Sequence, residues 1–207
     1  MQVKTMYKVD PKHIIPALTG DALQEKLDEF SSNTVSDKLQ VKFHKVIDYL
    51  NNKAAGKPPK ATFNRIYGLI DKVMEETVYP YAMCQSGCAH CCKIPVSVSA
   101  IEAGYIHQVT GKKLIGKPVD DIGYCPFLDL DTAKCSIYEV RPIECRSFAS
   151  MDSLEGCEDP TIKHMMFNAR QNGMLLSFKK WTDFQSKAIA KKENLPAEED
   201  IRFWFGS

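Results

Sequence analysis

The sequence predicts a mainly α-helical protein in which a helical frame carries an irregular, loop-rich middle segment. Apolar residues recur at helical spacing in two long stretches before residue 80 and again toward the C-terminal end. The stretch from Lys112 to Gly156 is instead rich in Gly, Pro and Asp and has no long periodic run. All eight cysteines lie between Cys84 and Cys157. On this basis the chain divides into an N-terminal helical region (1–83), a cysteine segment (84–157), and C-terminal helices with an apolar tail (158–207). The three are expected to form one compact domain.

The first region carries two apolar stripes. Leu39, Phe43, Val46, Ile47 and Leu50 mark one helix; Phe63, Ile66, Tyr67, Ile70, Val73, Met74 and Val78 mark the next, ended near Pro80. Between them Gly56, Pro58 and Pro59 break the chain over residues 54–60. A shorter helix is expected around Ala22 to Phe30. In the middle segment Ser99 and Glu102 have capping-box spacing, which starts a helix running to about Val109, with Gly111 suited to its end. Beyond Lys112 only short strands and one-turn helices are expected. Such a segment buries little apolar surface and needs cross-links.

Toward the C-terminal end Asp159 and Pro160 read as an N-cap and first turn. Ile162, Met165, Met166 and Ala169 would then face the core, Gly173 would interrupt, and Trp181, Phe184 and Ala188 would continue the stripe toward Asn194, with Pro196 as a stop. The tail of Ile201, Phe203, Trp204 and Phe205 is expected to pack back on the domain. Its alternative is to dock on a protein partner.

Lys and Arg number 27 against 26 Asp and Glu, a formal net charge of +1. That balance gives no general pull toward nucleic acid or membrane. Lys179, Lys180, Trp181, Lys187, Lys191 and Lys192 could form a basic, aromatic face, but a solvated helix face is the expectation. No apolar run approaches the roughly 18 residues of a membrane span. Met1 to Lys12 lacks the apolar stretch of a secretory signal, so a cytoplasmic location is expected.

Reducing compartments do not sustain disulfides, so eight clustered cysteines point to thiolate–metal bonding. Cys88 and Cys91 are two residues apart, with Cys84 just upstream, and such a turn can aim two sulfurs at one ion at about 2.3 Å. Adjacent Cys91 and Cys92 more naturally serve different metals, different atoms of one cluster, or one ligand and one supporting role. Cys125, Cys135 and Cys145 form a second group, with nine residues between successive members. Seven cysteines exceed one tetrahedral zinc site. They suit two zinc ions with a bridging thiolate or an added histidine, or one four-cysteine iron–sulfur cluster with spare thiols. Cys157 reads equally as a ligand or as an ordinary buried thiol. His90 could ligate, hydrogen-bond a sulfur or face solvent; His107 and His164, on presumed helices, suit ligation less. Lys93, Arg141 and Arg146 could offset thiolate charge, with a structural role favoured for the arginines.

The three-then-two spacing of Cys84, Cys88 and Cys91 also occurs in radical enzymes that cleave S-adenosylmethionine. The loops and helices after Cys91 do not supply the α/β barrel those enzymes need, so the match is read as coincidence. No Ser–His–Asp set, carboxylate pair or phosphate loop stands out, and no catalytic residue is assigned.

The order Gly87-Cys88-Ala-His-Cys91-Cys92, then Cys125-Pro126-Phe127-Leu128, then Cys135 to Tyr138, Arg141-Pro142 and Cys145-Arg146-Ser-Phe148 resembles the CxxCxxCC (YkgJ-type) family of zinc- or iron-chelating domains, found in bacterial and phage genomes. The first gap departs from the pattern, with three residues between Cys84 and Cys88. The resemblance implies metal chelation and little else, with Zn2+ or an iron–sulfur cluster held by Cys84, Cys88, Cys91, Cys92, Cys125, Cys135 and Cys145; a metal that pins the loop-rich middle onto the helical frame makes a structural or protein-interaction module the first expectation. Flagellin lysine methylases carry a similar block, which implies an alternative: an iron–sulfur enzyme of redox or protein-lysine-modifying type. The eleven glycines, however, include no Gly-x-Gly cradle for a nucleotide-like cofactor.

Overall fold

Three helices open the frame of the computed structural model, which describes residues 17–55, 59–84, 87–119, 123–159 and 161–206. They are α1 (Gly20–Ser32), α2 (Asp37–Asn52) and α3 (Pro59–Thr77). The Ser36 hydroxyl accepts from Leu39 N–H and caps α2, and the Ser36 amide and hydroxyl donate to Glu76, which pins the start of α2 to the end of α3. Pro59 opens α3, where a missing N–H costs nothing. Phe63, Ile66, Ile70, Val73 and Met74 of α3 are fully buried. The loop expectation for residues 54–60 falls partly on residues 56–58, outside the described set.

The remaining helices are α4 (Ala100–Thr110), α5 (Ile143–Arg146), α6 (Glu155–Glu158), α7 (Gly173–Glu193) and α8 (Ile201–Phe205). Three antiparallel pairs of very short strands connect them: β1 (Ser97–Ser99) with β6 (Glu198–Asp200), β2 (Leu128–Asp129) with β3 (Lys134–Cys135), and β4 (Ala149–Ser150) with β5 (Met166–Phe167). The architecture is mainly α. One buried cluster draws on all three sequence regions, from Leu39 and Phe63 through Val98, Ile106 and Ile143 to Phe178, Ile201 and Trp204. No described helix is long and apolar enough to cross a membrane.

The capping box at α4 forms as the spacing predicts, and Gly111 closes the helix in the left-handed region, φ 69°. Its acidic member does more than cap. Glu102 is buried and accepts from Ser99 N–H, Ser99 Oγ–H, Tyr67 O–H on α3 and Ile143 N–H on α5. One carboxylate thus joins three helices.

Two C-terminal expectations are corrected. Among the described residues no helix starts at Asp159: its carboxylate accepts from Thr161 N–H and Oγ–H, while Pro160 lies outside the described residues. Met166 instead enters β5, and Ile162, Met165 and Met166 are exposed. Gly173 does not interrupt a helix but begins one, because the Asn172 side chain accepts from Met174 and Leu175 N–H. The inward face of α7 is Leu175, Phe178, Thr182 and Ser186; Phe184 is 71% exposed. Two of the inward side chains are polar and satisfied, with Ser186 Oγ accepting from Ile101 N–H and Thr182 donating to Lys179 O, so an apolar count chose the wrong face. Lys179 is itself buried and paired with Asp183 and Glu198, so it belongs to no basic surface. The aromatic tail packs back: Ile201 and Trp204 are buried, and Trp204 Nε1 donates to Val98 O at 3.0 Å.

Candidate metal centre

The seven predicted cysteines sit on short pieces of chain held by the helical frame. Cys84 follows a 3-10 turn at Tyr79–Tyr81; Cys91 and Cys92 occupy a second at His90–Lys93. Cys125 precedes β2, Cys135 ends β3, and Cys145 lies on α5. Gly87, beside Cys88, has φ 88°, a conformation that glycine adopts without strain. All eight cysteines are free thiols.

The two stretches meet. Cys125 N–H donates to Cys92 O at 2.7 Å, which lays the second block directly on the first. Charge repulsion between neighbouring sulfurs would cross the junction, between Cys92 and Cys125 or Cys145 and between Cys91 and Cys135 or Cys145. Among the described residues, no group of three or more His, Cys, Asp or Glu side chains is arranged to hold a metal ion as it stands. The cysteines are therefore neighbours rather than a formed coordination shell.

Backbone N–H groups point at several sulfurs. Ser150 N–H donates to Cys84 Sγ at 3.3 Å. His90 donates to Cys88, Phe127 to Cys125 and Ile137 to Cys135, each from two residues downstream. This repeated turn places a partial positive charge against each sulfur and favours thiolate over thiol.

Burial acts the other way. It pushes Cys88 and Cys125 up to about 11 despite their N–H donors, and it raises Cys135 and Cys145, whereas Cys84 is the exposed member of the group. Cys92 donates to Cys91, which brings Cys91 down to about 7 and drives Cys92 upward. The Arg141 guanidinium opposes burial at Cys91, Cys135 and Cys145. Arg141 stacks on Tyr138 at 4.1 Å and donates to Tyr79 O–H, while its buried Nε has no partner among the described residues.

Arg146 is structural. Its Nη1 lies 2.7 Å from both oxygens of Asp71 on α3, Nε donates to Arg141 O, Nη2 to Glu139 O, and the group sits over the Tyr67 ring. Ile137 is buried as an anchor, whereas Tyr138 is 55% exposed. Lys93 lies over the Tyr124 ring. His90 is buried in the cysteine turn, its backbone serving Cys88. His107 bonds Lys112 O at the exposed end of α4, and His164 lies against Asp152 and Ser150 on a loop rather than a helix.

Arg202 is the residue beside the candidate site that composition and spacing do not reveal. It comes from α8, yet Nη2 donates to Cys92 O at 2.7 Å, Nη1 to Ile94 O at 3.4 Å and Nε to Gly123 O at 2.9 Å. Both cysteine blocks are gripped through their carbonyls, and the guanidinium also opposes burial at Cys125. Asp200, two residues earlier, orients it and accepts from Val96 N–H.

A zinc ion or an iron–sulfur cluster fits this donor set by chemistry: clustered sulfurs, N–H donors on four of them, and a buried guanidinium nearby. Residues 83–172, a little under half the chain, match the family model for CxxCxxCC, whose description is "Putative zinc- or iron-chelating domain". The match covers all seven cysteines and Cys157. No solved structure matches the chain.

Proposed function

We propose that the protein is a cysteine-cluster metal protein acting as a structural or protein-interaction module in the cytoplasm. Cys84, Cys88, Cys91, Cys92, Cys125, Cys135 and Cys145 would hold zinc or an iron–sulfur centre. The observation that carries this reading is the meeting of two cysteine stretches with backbone N–H donors on Cys84, Cys88, Cys125 and Cys135. A thiophilic centre supplies the cross-link that a loop-rich segment of very short strands otherwise lacks. The exposed apolar side chains Ile162, Met165 and Met166 beside this segment support the interaction half of the reading.

A second reading, an iron–sulfur enzyme of redox or protein-lysine-modifying type, draws on Arg141, whose unpartnered Nε beside the thiols suits an anionic group. Elemental analysis and a visible spectrum of anaerobically purified protein test both. Bound zinc, or an iron–sulfide centre with every iron position closed, supports the module, and an iron–sulfide centre with an open iron position supports the enzyme. A metal-free chain with all thiols reactive overturns both.

A further inference from the structure

The exposed side of α2 carries a cleft that the cysteine segment does not use. Val41, Lys45, Asp48 and Tyr49 fall at positions i, i+4, i+7 and i+8 and so share one face of the helix. Helix α3 packs alongside and contributes Arg65, and Lys53 joins from just past the last turn of α2. The cleft holds about 600 Å³, within the range of roughly 300–1,000 Å³ typical of small-molecule sites.

Its charges do not balance. Three permanent cations, Lys45, Lys53 and Arg65, face one carboxylate, Asp48. Asp48 is already engaged: Lys53 Nζ lies 3.5 Å from one of its oxygens, and Asn52 Nδ2 donates to the other at 2.8 Å. Among the described residues Lys45 and Arg65 have no carboxylate partner. Arg65 has a ring instead. Its guanidinium carbon lies 4.5 Å from the centroid of Tyr49, whose hydroxyl is hydrogen-bonded to Thr62 of α3 at 3.4 Å. One face of the guanidinium is therefore occupied, while its N–H edge is left for an acceptor in the same plane. A cation resting on a fixed ring loses less freedom on binding than one swinging in water. His44 adds a ring N–H, and Val41, 53% exposed, offers apolar surface in the same cleft.

We propose that this cleft binds a small phosphate monoester, with Arg65 and Lys45 on the phosphate and the organic body against Val41. The class follows from charge and size. A phosphate monoester carries about −1.5 to −2 at neutral pH and three acceptor oxygens, which matches two cations without carboxylates, one of them a bidentate fork. A carboxylate or a sulfate ester supplies a single negative charge and leaves the second cation unmatched. A nucleic-acid strand needs a run of phosphate contacts, whereas a carboxylate lies inside this cleft and the whole chain carries only +1. The site shares no residue with the metal-binding reading and stands independently of it.

Isothermal titration calorimetry on the full chain, purified without oxygen, tests the site with phenyl phosphate as the probe and phenyl sulfate as the singly charged control. One saturable site per chain is expected for phenyl phosphate, with phenyl sulfate bound about tenfold more weakly. Arg65→Ala and Lys45→Gln should each weaken phenyl phosphate about tenfold, and Arg65→Lys should recover only part of the loss. Lys45→Gln keeps the test decisive if Arg65→Ala does not fold. No saturable binding, equal affinity for the sulfate, or affinity unchanged in the folded variants overturns the proposal.

Discussion

Arg202 Nη2 and Cys92 O are 2.7 Å apart although 110 residues separate them in sequence. With its bonds to Ile94 O and Gly123 O, this side chain ties the end of the described chain to the meeting point of both cysteine blocks. Replacing it by Ala would leave several carbonyls without their donor in a buried place. Arg202→Ala is expected to cost about 3 kcal/mol, as for loss of charged hydrogen bonds in a buried setting. Arg202→Lys should recover little, since one ammonium cannot reproduce the fork. Urea denaturation measures both; a Lys variant as stable as wild type would count against the clamp.

Arg146 and Asp71 make a parallel prediction for the other side of the segment. Arg146→Met should destabilise by about 2–4 kcal/mol, because carbonyls 139 and 141 lose their donor along with the ion pair. Asp71→Asn should cost less, since Asp71 is 38% exposed and Arg146 keeps its carbonyls. Equal losses in chemical denaturation would show that the ion pair alone matters.

Lys179 on α7 pairs with Glu198 on β6, and this contact has a defined pH window. Although burial opposes it, pairing with Asp183 and Glu198 leaves Lys179 above its ordinary 10.5, so its contribution is full below that value and is lost as pH rises through the higher folded value. Glu198 is held below its ordinary 4.5 by Lys179, again against burial, so its contribution is present above 4.5 and is lost as pH falls through the lower folded value. Lys179→Met should therefore be less stable than wild type by a constant amount between about pH 5 and 10, with the gap narrowing outside that range. Thermal melts across pH check this, and a gap that grows in acid would refute it.

Gly156 touches the His164 ring so closely that an added Cβ would lie 2.3 Å from Cγ. Gly156→Ala must push His164 away from Ser150 and Asp152 and is expected to cost about 1–3 kcal/mol, the usual penalty for overpacking. The companion change His164→Ala should remove most of that penalty. Denaturation of the single and double variants tests the coupling.

The N-terminal helices were legible because α2 and α3 bury one apolar face each, so periodicity and core coincide, and Ser99 with Glu102 announced α4 through local chemistry. Residues 159–186 were not, because their structure is decided by polar side chains that hydropathy misplaces. Asp159 turns the chain, Asn172 starts α7, and Ser186 faces inward while Phe184 faces water. At the site the cysteine spacing marked candidate ligands and two blocks, but not how the blocks are tied together. The bonds from Arg202 to three loop carbonyls and from Glu102 to Ile143 N–H depend on backbone groups that every sequence contains, so no residue pattern announces them. Cys157 was ambiguous for a related reason: only the packing of α6 on the His90–Lys93 turn brings it close to the cysteine segment.

The Arg202–Cys92 bond also orders events during synthesis. A ribosome makes Cys84 through Cys145 well before it makes the guanidinium that closes their loop, and non-local contacts of this kind form late. The nascent chain must then carry its thiols unclosed while dozens of later residues are still being added. An oxidant or an ill-matched ion would meet the half-made protein at that stage, before Arg202 is in place.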